Sequence, residues 1–396
     1  MTATEQGVIT ILKSAITGES YPLPEGFDLE KAYDLMKAHS VLALGYVGAA
    51  QCGVSLALPK MQQLMQDYGK SIWAGERQML LVQQLYKAFD DAGVDYMPVK
   101  GCNLKMLYPE PGLRSMGDAD ILIRLDQYDR IVPIMEKLGY EKGVESDHEL
   151  VWRQKFLMVE LHKRLIPSYN KDYFRYYGDG WRLANRAEGT HWYMTDEDQF
   201  IYVFTHFAKH YRDGGIGCRH VLDLWLCLRS YPDMDMAYIH RELEKLQLDA
   251  FYRNMRQLIA VWFESAPADD RTNLMSTYIL GSGSWGSGEN HMLSSVARQT
   301  GTEGSVKEGR IHWVVATLFP SRSYLQLRYP VLKKWPVLLP VMWVRRGADA
   351  FFHRRSNASK KLKNFTGVSD DAIVQYRRDL AEVGLRFDFK EPEQTK

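Results

Sequence analysis

Two aspartates separated by one residue, Asp118-Ala119-Asp120, stand at the head of an apolar run, Ile121-Leu122-Ile123. In an extended strand, residues two apart project to the same side, so both carboxylates face one spot. Two like charges that close are costly unless a cation neutralises them. A hard, oxygen-seeking ion such as Mg2+, shared with substrate phosphates, does this. The apolar run places the pair at the mouth of a buried strand rather than on a solvated loop. An Asp-x-Asp alone is common by chance, and the strand context gives it weight.

A third carboxylate, Glu160, falls in FLMVELH, where Met158, Glu160 and His162 alternate with Val159 and Leu161. That alternation puts Glu160 on a polar-capable strand face. A two-metal site needs a third acid across the sheet to bind the catalytic ion and deprotonate an acceptor hydroxyl; the plainer alternative is a glutamate on a solvated edge strand. Lys100-Gly101 ends another short strand and opens a short helix. Glycine lets backbone approach a phosphate, the helix N-terminus offers free N–H groups, and Lys100 adds a point charge for a triphosphate. Arg114, four residues before Asp118, either neutralises phosphate charge or pairs at the surface with Glu110 or Asp118. His206 and His210, one helical turn apart, suit a zinc ion, the lining of a nucleotide or acceptor cleft, or simple helix packing. The zincin pattern is absent, because Phe207 follows His206. Arg219 and Asp223, four apart, are expected to form an intrahelical ion pair.

These residues need elements to hold them. Residues 1–92 read as helical, with Leu29, Ala32, Leu35 and Met36, then Leu81, Leu85, Ala88 and Ala92, at helical spacing before Gly93. Val94–Gly101 reads as a short strand, and NLKMLYPEPG as one or two helical turns stopped by Pro109, Pro111 and Gly112. Asp118–Arg124 is a second strand. LDQYDRIVPIMEKLGY is a helix ending at Gly139, and strand-like material covers 148–152 and 156–162. That order predicts a small mixed α/β core over 93–190, flanked by an N-terminal helical region (1–92) and a larger helical region (191–396): an α+β protein. Thr195 is the expected N-cap of a helix whose first turn is acidic, and a second helix is expected near Cys218–Leu228. The stretch GSGSWGSG over 281–288 reads as a flexible loop, with a phosphate cradle as the less favoured alternative.

The chain's 396 residues exceed the ~100–200 of one ordinary domain, which agrees with a core plus helical additions. Hydrophobic content of 45% and charged content of 25% are globular values, and with a net charge of +1 neither a nucleic-acid partner nor an anionic membrane is implied by bulk electrostatics. Cys52, Cys102, Cys218 and Cys227 form no CxxC pair, which suits reduced thiols in a cytoplasmic protein. The N-terminus lacks the pattern of a signal peptide, and the longest apolar passage, Trp335 to Val344, falls far short of the ~20 residues that span a bilayer. Arg345, Arg346, Arg354, Arg355, Lys360, Lys361 and Lys363, interleaved with Trp335, Trp343, Phe351 and Phe352, form a basic aromatic region. A solvated helix face with the aromatic residues in the core is the simpler reading of it, and contact with an anionic membrane surface or a polyanionic acceptor the alternative.

The span KGCNLKMLYPEPGLRSMGDADILI, followed by LGY and VELH, resembles the uncharacterised bacterial nucleotidyltransferases of the polymerase-beta superfamily. Lys100, Gly101, Leu104, Tyr108, Arg114, Asp118, Asp120, Glu160 and His162 occupy the places of that family's pattern. The likeness is densest over 94–166 and extends more weakly into HFAKHYRDGGIGCRHVLDL. Gly-Ser or Gly-Gly usually stands in the wider superfamily where this chain has Lys100-Gly101-Cys102, and the third acid is commonly Asp. The resemblance implies transfer of a nucleoside monophosphate from an NTP to a hydroxyl acceptor with release of pyrophosphate. Asp118, Asp120 and Glu160 would then hold two Mg2+ (or Mn2+) ions and do the catalysis. Lys100, Gly101, Arg114, His162, His206 and His210 are the candidates for binding nucleotide and phosphate. The acceptor stays open among a small molecule, a glycan and a protein. So do transfer of another phosphate-linked group to a glycan, an antitoxin-like nucleotidylation of a partner protein, and a catalytically silent nucleotide-binding module. No sequence-specific nucleic acid partner is expected.

Overall fold

A computed structural model of the chain describes residues 1–168, 170–300, 304–353, 365 and 367–387. Contacts divide it into two units, Met1–Phe207 with Gly217–Ser284, and Ala208–Ile216 with Trp285–Lys396.

The first unit opens with four helices, α1 (Ala3–Thr17), α2 (Leu29–Ala38), α3 (Leu42–Gln51) and the long α4 (Pro59–Asp91). Thr2 and Glu5 close a capping box on α1, and Asp28 caps α2, so the polar side chains named at these starts satisfy otherwise open N–H groups. The α/β core follows: β1 (Tyr96–Pro98), α5 (Gly101–Leu104), β2 (Asp118–Ile123), α6 (Tyr128–Lys137), β3 (Glu141–Glu145), β4 (Glu149–Arg153) and β5 (Met158–His162). The five strands lie in the order β1-β2-β5-β4-β3. Only β2 and β5 are parallel; the other three pairings are antiparallel. The sheet and the flanking helices make this an α+β fold.

Strand alternation decides what the sheet does. Ala119, Ile121 and Ile123 of β2, Leu150 and Trp152 of β4, and Val159 and Leu161 of β5 join Leu85 and Phe89 of α4 and Ile131 and Met135 of α6 in one buried core. The alternate positions, Asp118, Asp120, Glu160, His162 and Glu149, therefore emerge together on the opposite face. β3 is exposed at every residue, and its sequence EKGVE, with Val144 its one large apolar residue, gives no strand pattern to read.

Helix α4 also fixes the loop that feeds β2. A Cβ on Gly75 would come within 2.7 Å of Gly112 Cα, so both glycines are needed for the helix to meet the Pro111–Leu113 turn. Ser71 Oγ donates to Gly112 O at 2.8 Å, and Gln78 Nε2 donates to Met116 O at 3.0 Å.

Beyond the sheet come α7 (Lys171–Tyr177), a two-strand ribbon (Asn185–Arg186 with Trp192–Tyr193), and α8 (Asp196–Asp213). Thr195 Oγ1 accepts from Asp198 N at the start of α8. Helices α9 (Cys218–Ser230), α10 (Met236–Lys245), α11 (Asp249–Phe263) and α12 (Asp270–Ser282) complete this unit. The second unit contains α13 (Gly288–Thr300), α14 (Val306–Leu318), α15 (Arg322–Arg328), α16 (Val331–Lys334), α17 (Leu339–His353) and a last helix, Asp370–Glu382. There Trp335, Val337, Val341 and Val344 are exposed near the exposed cations Lys333, Lys334 and Arg345. Arg354, Arg355, Lys360, Lys361 and Lys363 of the basic aromatic region lie outside the described residues. All four cysteines are free thiols, and among the described residues no helix is long and apolar enough to cross a membrane.

Candidate active site

The parallel register of β2 and β5 sets Asp118 beside Met158, Asp120 beside Glu160 and Leu122 beside His162. Neighbouring parallel strands are about 4.8 Å apart, so Asp120 and Glu160 meet side by side. Asp120, Glu160 and His162 present ligand atoms all within 4.8 Å of one another, and among the described residues they are the one such group of three or more. Asp118 joins them through a hydrogen bond with Glu160. The site is buried: Asp120 is 4% exposed and His162 1%.

Lys100 closes the site from the end of β1. Its Nζ donates to Asp120 Oδ1 at 2.6 Å, and His162 Nε2 lies 2.7 Å from the same oxygen. The Lys100 backbone has φ 48° and ψ −117°, a conformation that disfavours any side chain bearing a Cβ. The strain is held by the sheet on one side, where Val99 N donates to Asp120 O, and by α5 on the other, where Leu104 N donates to Lys100 O.

The charges sort themselves accordingly. Burial raises the Asp120 carboxyl, but Lys100 and His162 overcome it and hold that carboxyl well below the ordinary carboxylate range. Burial, then Asp118, Asp120 and Glu149, push Glu160 up to about 8, and burial with Asp120 raises Asp118 as well. Near neutral pH a proton therefore sits in the Asp118–Glu160 hydrogen bond. Burial and then Lys100 lower His162, so its imidazole is neutral. Nε2 carries the hydrogen toward Asp120, and Nδ1 is buried without a hydrogen-bond partner among the described residues.

Sequence reasoning missed three contributors. Glu149 lies opposite His162 on β4, and its carboxylate is 2.9 Å from His148 Nε2. Burial raises Glu149, yet His148 brings it down to about 2. Tyr202, buried on α8, lies close enough to Lys100 for each to perturb the other's proton affinity, and it donates to Leu165 O at 3.3 Å. These residues are distant in sequence from the aspartates, and no spacing rule links them.

Arg114 is buried and engaged. Its Nε and NH2 donate to Asp223 Oδ1 and Oδ2 at 2.8 and 2.9 Å, and Tyr108 donates to Oδ1 at 2.8 Å. NH1 would lie 3.3 Å from a Cβ on Gly101, which is why that position is tight. The expected Arg219–Asp223 pair within α9 is not formed, because Arg114 takes both oxygens of Asp223. Arg219 NH1 instead donates to Ser115 O and Oγ at 2.7 and 2.9 Å. His206 and His210 are half-buried on α8, in separate units, and neither belongs to the group of candidate metal ligands. Ser282 and Gly283 end α12, and Ser284 Oγ donates to Ser40 Oγ at 3.0 Å, so the glycine-serine stretch is anchored at its start. A cleft of about 490 Å³, lined by Arg124, Lys163, Arg164, Phe174 and Trp181, lies at the far end of β2 and contains neither aspartate.

No curated protein and no solved structure matches the chain. A family model described as an uncharacterised nucleotidyltransferase matches residues 25–264, more than half the chain and all of the site just described. The chain therefore belongs to that family of nucleotidyltransferases.

Proposed function

We propose that the protein transfers a nucleoside monophosphate from an NTP to a hydroxyl acceptor and releases pyrophosphate. The observation that carries this reading is the in-register pairing of Asp120 with Glu160, with Asp118 on the same face of the sheet.

The residues fit Mg2+ or Mn2+. Three carboxyl groups, Asp120 buried and Asp118 and Glu160 half-buried, crowd one face, and two of them are driven toward protonation, which is the signature of a site short of positive charge. Asp118, Asp120 and Glu160 would hold the ions, two in the reading favoured here, and His162 would orient Asp120 through its Nε2–H. Bound there, the ions would neutralise the triphosphate and acidify the acceptor hydroxyl.

The chain's own groups supply the rest. The acceptor oxygen attacks the α-phosphorus, the bond from that phosphorus to the β-phosphate oxygen breaks, and pyrophosphate leaves with the electron pair. Glu160, in its ionised form, receives the acceptor's proton. Lys100 and Gly101, at the N-terminus of α5, position the phosphates. Rate enhancement then comes mainly from in-line placement and charge neutralisation.

The test is pyrophosphate release from each of the four NTPs with Mg2+ or Mn2+, with cell lysate as the acceptor source. Wild type should release it, and the Asp118→Asn/Asp120→Asn double variant should not while keeping its circular dichroism spectrum. Equal release by both proteins would overturn the assignment.

A further inference from the structure

Three cations, Lys105, Arg114 and Arg219, are buried around the loop that leads into β2. Arg114 has Asp223. Lys105 is fully buried and donates to Arg114 O at 3.1 Å, and among the described residues neither it nor Arg219 lies within ion-pair distance of a carboxylate. A guanidinium taken out of water without a counter-anion is costly, so a buried arginine in that state calls for an anionic ligand.

Arg219 is also placed to receive one. It is 8% exposed and sits at the second position of α9. NH1 is fixed by Ser115 O and Oγ, and Ser115 Oγ in turn donates to Ser40 O at 3.0 Å. The start of α9 is held by Cys218 N donating to His39 Nδ1 at 3.1 Å, while His39 Nε2 bonds Leu280 O at 3.1 Å. The Nε of Arg219, by contrast, is buried with no hydrogen-bond partner among the described residues. NH2 has only a long contact, 3.4 Å, with His220 Nε2. The Nε–NH2 edge is the fork that grips two oxygens of a phosphate.

The surroundings match in charge. Ser115 stands three residues before Asp118, and Arg219 and Asp118 are close enough for each to perturb the other's proton affinity. The site thus has an acidic wall, Asp118, Asp120, Glu149 and Glu160, and a cationic wall, Arg219 with Lys105 and Arg114 behind it. A nucleoside triphosphate bound across the two walls would lay its anionic tail on the second.

We propose that Arg219, held by Ser115, binds the β- and γ-phosphates of the nucleotide and so selects triphosphates over monophosphates. This rests on the nucleotide-transfer reading above and adds the residue that grips the leaving group.

The experiment is calorimetric titration of the full chain with each NTP and its NMP in Mn2+, for wild type, Arg219→Gln, Arg219→Lys and Ser115→Ala. Wild type should prefer the NTP. Arg219→Gln should lose about 10- to 100-fold in NTP affinity with NMP affinity nearly unchanged, and Arg219→Lys and Ser115→Ala should fall between. Inhibition by pyrophosphate should weaken in parallel. Should Arg219→Gln fail to fold, the Lys and Ala variants decide by the same NTP-to-NMP ratio. An unchanged ratio in the variants, or equal losses for NTP and NMP, would overturn the role of Arg219 and leave nucleotidyl transfer standing. No NTP binding by wild type would take down both.

Discussion

Lys100 reaches Asp120 Oδ1 at 2.6 Å from a backbone held at φ 48°, so the ammonium and the strain belong to the same residue. The two effects separate by substitution. Lys100→Ala removes the buried counter-charge and keeps the strain, at a cost of about 3–5 kcal/mol. Lys100→Gly removes both and should be milder by about 1 kcal/mol, because glycine accepts positive φ. Urea unfolding midpoints check the order, and equal loss in both variants would show that the backbone is not strained.

Glu160 should make the cation-free protein less stable as pH rises. Its carboxyl moves from an ordinary value of 4.5 to about 8 on folding. Between those values the unfolded chain has released a proton that the folded chain keeps, so stability falls through this window and levels off above it. Glu149 acts in the opposite sense at lower pH: its contribution is full above its ordinary 4.5 and lost as pH falls toward about 2. Melting temperatures in chelator should therefore drop from about pH 5 to pH 9. Glu160→Gln should flatten that slope, and Mg2+ or Mn2+ should raise the curve most at its alkaline end.

His162 acts on Asp120 through one hydrogen, on Nε2. A glutamine amide can offer a donor at a similar reach, and alanine cannot. His162→Ala should lower kcat or metal affinity by about 10- to 100-fold, and His162→Gln should recover part of it. Identical activity in the two variants would remove the orienting hydrogen bond from the account.

The Arg114–Asp223 pair predicts a non-additive cycle. Asp223→Ala leaves a buried guanidinium and should cost about 3–5 kcal/mol. Replacing both residues by apolar side chains, Arg114→Met with Asp223→Leu, should cost much less than the sum of the single changes. Urea unfolding of the four proteins measures the coupling.

What could be read beforehand follows from the range of each signal. Asp118, Asp120, Glu160 and the strands under them were legible because period-two alternation is local, and it also tells which face is buried. The resemblance to nucleotidyltransferases, carried by those residues, agrees with the family match. β3 was invisible because its five residues are all exposed and Val144 is the one large apolar side chain among them. The expected Arg219–Asp223 pair was a helix-surface rule applied to a buried helix face, where a stronger bidentate partner arrived from 109 residues away. Glu149, Tyr202 and the free edge of Arg219 depend on tertiary contacts that no spacing encodes.

Ser115 and Arg114, on the loop entering β2, have partners 104 and 109 residues further along the chain. A fragment cut to the sheet alone would leave those partners behind. The working segment is thus stitched from two distant stretches, and it cannot be inherited, shuffled or transplanted as a contiguous cassette. Changes at 114 and 223, and at 115 and 219, should be passed on in pairs among descendants of this chain.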